Sequence, residues 1–183
     1  MRGETGFPRA DVTDNFLRVR RRQVLARVAA WLRHDPDDVN AMLSLNEVLD
    51  ALGRRGERGL GLQTIRLDTI GGTVDANHDF DRGFRPTSGR VRERWERLAL
   101  AQRRGEPIPP IEVYRVGDLH FVQDGHHRVS IAMAAGAKTI DAYVTEVLTR
   151  LPAAGIRGRG DLPCKSHERT SPAPAPGRET GID

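Results

Sequence analysis

The chain has 183 residues, a formal net charge of +4, 30% charged and 38% hydrophobic residues, and one cysteine. That length suits one packed domain with polar extensions, and a lone Cys164 excludes an internal disulfide or a cysteine-rich zinc site. No apolar run approaches the roughly 18 residues that would span a bilayer, and Met1 to Gly6 lacks the apolar stretch of a secretory signal, so a cytoplasmic protein without a membrane partner is expected.

Nearly all the positive charge is arginine, since lysine occurs only at Lys138 and Lys165. Acidic residues are interspersed with it, which permits contact with anionic nucleotides but does not make the concentrated basic face of a duplex binder.

Residues 1–14 are expected to be flexible. From Asn15 to His34 there is no acidic residue, and Leu17, Val24, Leu25, Val28, Trp31 and Leu32 recur at helical spacing with Arg18, Arg22 and Arg33 turned away. The spacing predicts an amphipathic helix whose arginines face solvent or make weak, salt-sensitive contact with a DNA backbone. Asp35-Pro36 then supplies a cap and a first-turn proline, and Met42, Leu45, Val48, Leu49 and Leu52 continue a second helix to Gly53. Arg54 to Gly61, rich in glycine and arginine, reads as a linker. The helical extension with its linker thus covers 15–61.

Ile65, Leu67 and Ile70 begin a strand-like segment that Gly71-Gly72-Thr73-Val74-Asp75 breaks, opening a charged loop through Asp79, Asp81 and Arg82 to Pro86. Ser88 can cap a helix carrying Val91, Trp95 and Leu98 on one face, with Glu93 and Arg97 spaced as a favourable pair. A hairpin follows, with Ile111 to Tyr114 going out, Gly117-Asp118 turning and Leu119 to Val122 returning. Val129 to Ala135 is a short helix closed by Gly136, and Thr139 to Val147 a last strand. The domain is expected at 62–150. Residues 151–183, with Ser171-Pro172-Ala173-Pro174-Ala175-Pro176-Gly177, are expected to be a disordered tail.

The run Asp124-Gly125-His126-His127-Arg128 joins the returning strand to a helix, which gathers the free amides of the first helical turn around one spot. Such amides bind phosphate oxygens, Gly125 allows close approach, and Arg128 adds a forked cationic contact. His126 and His127 can donate to phosphate or exchange protons, and Asp124 can cap the helix or orient an imidazole. The same residues also fit a capped helix with packed or solvated histidines. A third metal ligand at suitable spacing is not evident, so no protein metal site is assigned.

Gly105-Glu106-Pro107-Ile108-Pro109-Pro110-Ile111-Glu112-Val113, followed by Val122-Gln123-Asp124-Gly125-His126-His127-Arg128-Val129-Ser130-Ile131-Ala132, resembles the core of the ParB/sulfiredoxin superfamily. The context from Leu43 to Val147 resembles bacterial proteins with a ParB-like nuclease domain. The resemblance implies a small α+β domain, a mixed sheet with packed helices, preceded here by the N-terminal helical pair. It also implies that the turn at Asp124, Gly125, His126, His127 and Arg128 holds the phosphates of a nucleoside di- or triphosphate or of another phosphorylated small molecule. His126 stands where sulfiredoxins carry cysteine and partition proteins carry glutamate, so thiol-based sulfinic acid reduction is not implied. Free-serine kinases are similar in having the Asp-Gly-His-His-Arg turn.

With that fold, Asp75 and the acidic loop after it would face the same cleft, where Asp75 could bind magnesium or accept a proton. The expected catalytic set is therefore Asp75, His126 and His127, for a nucleotide-dependent phosphotransferase or hydrolase. The competing expectation is a DNA-associated, partition-like or nuclease-like module that uses the turn as a nucleotide sensor. The compact carboxylate cluster of a two-metal nuclease is not visible in the spacing.

Overall fold

The computed structural model describes residues 8–32, 42–75, 79–156 and 158–170. Its centre is a six-stranded mixed sheet in the order β1-β3-β5-β4-β6-β2. The strands are β1 (Leu43–Ser44), β2 (Arg54–Arg66), β3 (Ile70–Thr73), β4 (Ile111–Val116), β5 (Leu119–Asp124) and β6 (Thr139–Thr149). The helices are α1 (Pro8–Leu32), α2 (Leu45–Leu52), α3 (Arg92–Arg103), α4 (His126–Ala134) and α5 (Leu162–Thr170). This is the expected α+β class. The β4–β5 hairpin pairs antiparallel across the Gly117-Asp118 turn, and β3 and β6 flank it, each parallel to its hairpin neighbour.

Strand alternation gives the sheet two apolar faces. Ile111, Val113, Val122, Ala142 and Val144 join Phe16 of α1, Trp95 of α3 and Val129 of α4 in one core cluster. Val116, Phe121 and Val147 join Leu45, Val48, Leu49 and Leu52 of α2 in the other. In α2 the apolar residues fall on one stripe and are all buried, and Gly53, at φ +75°, ends the helix by donating its N–H to Leu49.

Six local expectations are corrected. Residues 8–14 are helical rather than flexible, because Val12 and Phe16 are fully buried and Phe16 packs edge-on against Trp95 at 5.6 Å. The expected apolar face of α1 is the wrong one, since Leu17, Val24, Leu25 and Val28 are exposed, Leu25 at 66%. Helical periodicity identifies the helix, but the Phe16–Trp95 contact and the Thr13–Glu96 and Asp11–Arg103 pairings fix the side that docks.

Arg54 to Gly61 is not a linker. It is the first half of β2, paired with β6 from Arg54 opposite Thr149 to Arg66 opposite Thr139, with irregularities at Arg54/Gly56 and Gly59/Gly61. Glycine and arginine are tolerated there because β2 is an edge strand exposed over most of its length. Gly71 and Gly72 likewise lie inside β3 instead of breaking a strand, and a Cβ on Gly72 would stand 2.1 Å from the Leu43 carbonyl oxygen of the neighbouring β1.

The segment after Leu151 is partly docked, contrary to expectation. Ala153 and Ile156 are buried in the α2 cluster, Arg159 pairs with Glu47, and α5 packs against α2. The proline-rich stretch from Ser171 lies outside the described residues, as does the Asp35-Pro36 cap. Ser88 does not cap α3, whose N-cap is Val91 without a side-chain bond. None of the described helices is long and apolar enough to cross a membrane.

Candidate functional site

At the C-terminal end of β5 the chain turns through Gly125 at φ +106° directly into α4. Two constraints require glycine here. The backbone is left-handed, and a Cβ would meet Ile111 Cγ2 at 2.5 Å. The close approach of Ile111 fixes the turn against β4. The Val129 N–H closes the first helical turn on the Gly125 carbonyl at 3.0 Å, so the amides of His126, His127 and Arg128 precede the first intrahelical donor and have no acceptor within α4.

Asp124 does not cap the helix. Its carboxylate pairs with Arg128 Nη2, while Arg128 Nη1 donates to the carbonyls of Pro109 at 2.8 Å and Pro110 at 2.5 Å. The Arg128 side chain is only 13% exposed, whereas Asp124 is 60% exposed. Arg128 is therefore a brace between the segment leading into β4 and the first turn of α4. The Asp124 contact is its solvent-facing arm.

The two histidines diverge from consecutive positions. His126 Nε2 lies 2.8 Å from Thr73 Oγ1 at the end of β3, and its ring stacks near Phe80 and Phe84. His127 meets the Phe80 ring edge-on at 5.1 Å, and its Nε2 is buried without a partner among the described residues. Burial holds both imidazoles below the ordinary histidine range. For His127, to which the positive charge of Arg94 and the neighbouring His126 add, the pKa falls to about 4. For His126 the downward shift is opposed by the charges of Asp124 and Asp75. Both rings are thus neutral near pH 7.

The aromatic backing comes from the charged loop. Asp81, buried, accepts the backbone N–H groups of Gly83 and Arg85 and a two-nitrogen contact from the Arg85 guanidinium. That knot presents Phe84, at φ +52°, and Phe80, which bridges to Pro86, toward the histidines. Asp81 is a loop-folding carboxylate.

Asp79, Phe80, Arg94, Leu98, Asp124, Gly125, His126, His127 and Arg128 enclose a cleft of about 180 Å³. Of the residues singled out from sequence, Asp79 of the acidic loop and Asp124, Gly125, His126, His127 and Arg128 of the turn meet there. Asp75 does not line the cleft; it is exposed, two residues beyond Thr73, and acts on His126 through its charge. Arg94 joins the cleft residues from α3, far from the turn in sequence. It stands one helical turn before Leu98 on α3, which Trp95 locks to α4 by donating its indole N–H to Ser130 at 3.0 Å. Thr73, Phe80 and Phe84 also join the site from afar, since nothing local in the sequence ties them to a histidine some 40 to 55 positions away.

Among the described residues no group of three or more histidine, cysteine, aspartate or glutamate side chains is placed to hold a metal ion. Magnesium accompanying a polyphosphate is held largely by phosphate oxygens and water, and Asp79 and Asp124 are the carboxylates that line the cleft.

No protein-family model matches the chain, and no curated protein matches it. Among solved structures, sulfiredoxin from Arabidopsis thaliana matches with 19% identity and a TM-score of 0.35, over 45% of this chain and 82% of that one. A Pnob8-like ParB-N domain matches with 15% identity and a TM-score of 0.32, over 51% of this chain and 31% of that one. Both are partial likenesses of fold, to an α+β arrangement of a mixed sheet with packed helices.

Proposed function

We propose that the cleft binds the phosphate groups of a nucleotide or another phosphorylated small molecule, and that His126 exchanges a proton with the bound ligand or its acceptor. The observation that carries this reading is the turn at Gly125. A left-handed glycine pressed against Ile111 holds the amides of His126, His127 and Arg128 at the mouth of a cleft that Arg94 also lines. Amides at the positive end of a helix stabilise an anion, and a guanidinium adds a charge-assisted contact.

Arg128 enters this reading with a divided role. Its Nη1 is committed to the Pro109 and Pro110 carbonyls, and only the arm that meets exposed Asp124 can be exchanged for a phosphate oxygen. The neutral histidines add hydrogen-bonding capacity without charge. A proton acceptor next to bound phosphate suits a nucleotide-dependent phosphotransferase or hydrolase, with Asp75 stabilising the imidazolium form of His126 from a distance.

A thermal-shift panel of nucleoside di- and triphosphates, with and without magnesium, tests the reading, because a ligand that binds only the folded state raises its melting temperature. Stabilisation by at least one of them is expected. A second reading, weak and salt-sensitive contact of α1 with a nucleic acid backbone, is favoured by the exposed Arg18, Arg21 and Arg22 on a helix without acidic residues from Asn15 onward. It predicts affinity that falls steeply with salt and is lost when those arginines are replaced.

A further inference from the structure

His126 has two ring nitrogens, and the proton in its neutral form can sit on either. The neighbouring threonine decides which. Thr73 Oγ1 lies 3.1 Å from the Val122 carbonyl oxygen and 2.8 Å from His126 Nε2, and a hydroxyl carries one hydrogen. The carbonyl has none to give. If Thr73 donated to His126, two oxygens would face each other at 3.1 Å with no proton between them. If Thr73 donates to Val122, both contacts are filled when His126 Nε2–H donates to Thr73. The Val122 carbonyl can take this second donor beside the Val74 N–H at 3.0 Å, since it has two lone pairs.

We infer that Thr73 is a positioning residue that holds His126 as the Nε2–H tautomer, leaving Nδ1 as the ring's proton acceptor. The inference rests on the reading that His126 serves the phosphate cleft. Its chemical consequence is that a hydroxyl or water in the cleft gives its proton to Nδ1, and the resulting imidazolium keeps donating Nε2–H to Thr73. The ring changes charge without changing its anchor. His126 therefore brings no cation to the resting cleft, where the fixed positive charges are those of Arg94 and Arg128.

The molecule contains its own control. Thr69 Oγ1 donates to the Arg66 carbonyl at 2.6 Å and lies 2.8 Å from His120 Nδ1, so the same proton count makes His120 the opposite, Nδ1–H tautomer.

Nitrogen-resolved NMR of the imidazole side chains in the full-length, ligand-free protein, with peaks assigned through His126→Gln and His120→Gln, reads both tautomers at neutral pH. His126 as Nε2–H and His120 as Nδ1–H is expected. Thr73→Ser should keep the His126 pattern, and Thr73→Val should shift it toward a mixture while His120 stays unchanged. An Nδ1–H pattern for His126 in the wild type would overturn the inference, as would an unchanged pattern in a folded Thr73→Val protein. Should Thr73→Val not fold, the wild-type and Thr73→Ser spectra still decide it. Because no ligand is present, failure here is distinct from failure of the nucleotide reading, which the thermal-shift panel tests separately.

Discussion

The two threonine–histidine pairs at opposite ends of β5 have nearly the same local chemistry and opposite surroundings. His120 near the start of the strand is buried, bonds to Thr69, and is held down to a pKa of about 4 by burial and the charge of Arg115. His126 beyond the end of the strand bonds to Thr73 and lines a cleft beside a glycine turn and two arginines. A hydrogen-bonded, neutral histidine is thus an ordinary solution to burying an imidazole. What sets His126 apart is the free amides and guanidinium groups around it. The same contrast separates Arg128, most of whose contacts are internal, from Arg94, which is exposed at the cleft.

The largest effect that would break this contrast is at Gly125. Gly125→Ala forces a left-handed backbone on alanine and drives a methyl into Ile111, an expected loss of about 2 to 5 kcal/mol of stability in denaturant unfolding. A loss of only a few tenths would mean that the turn is not wedged. Next comes Arg128→Ala, which removes the ties to Pro109, Pro110 and Asp124 from a mostly buried side chain. Ligand-free stability should fall by about 2 to 3 kcal/mol, and lysine should restore only part of it because it lacks the planar fork. A stability unchanged by Arg128→Ala would return that residue to a purely ligand-binding role.

Acid should weaken the fold through both histidine environments. His120 and His127 have folded pKa values of about 4, below the value near 6.5 of an unfolded chain. The unfolded state binds more protons between those limits, so their contribution is complete above about pH 6.5 and is lost progressively as pH falls toward 4. Melting temperatures measured from pH 7 to pH 4.5 should decline, and His120→Gln should flatten the decline without altering phosphate affinity. Equal effects of His120→Gln and His127→Gln on affinity would erase the distinction between the two ends of β5.

The smallest expected change is at Asp124. Asp124→Asn removes a negative charge from the cleft and frees the outer arm of Arg128, so nucleoside triphosphate affinity should rise a few-fold by calorimetry. A fall would assign the Asp124 carboxylate to the ligand or its magnesium.

The hairpin, the turn and α4 were legible in the sequence because their signals are local: Gly117-Asp118 between alternating apolar residues, and glycine between a strand and a helix. The edge strand β2 was not, because its stability comes from pairing with β6 some 70 to 95 residues away and its exposed faces carry no alternation. The docked side of α1 is hidden from the sequence for a related reason. Its exposed Leu17, Val24 and Leu25 are as periodic as its buried Val12 and Phe16, and only the tertiary partner Trp95 separates them. Within the site, the residues of the turn could be read together, whereas Thr73, Phe80 and Arg94 reach it from β3, the charged loop and α3.

If the cleft at the Gly125 turn grips phosphate with free amides and Arg94, nucleotides stabilise the fold and Arg94 carries part of that effect. The most direct measurement is the thermal-shift panel of nucleoside di- and triphosphates run in parallel on wild type and Arg94→Ala. The wild type should be stabilised by at least one nucleotide, Arg94→Ala should show a clearly smaller shift, and the ligand-free melting temperatures should be closely similar at this exposed position. No stabilisation of the wild type by any nucleotide, or equal stabilisation of both proteins, would contradict it.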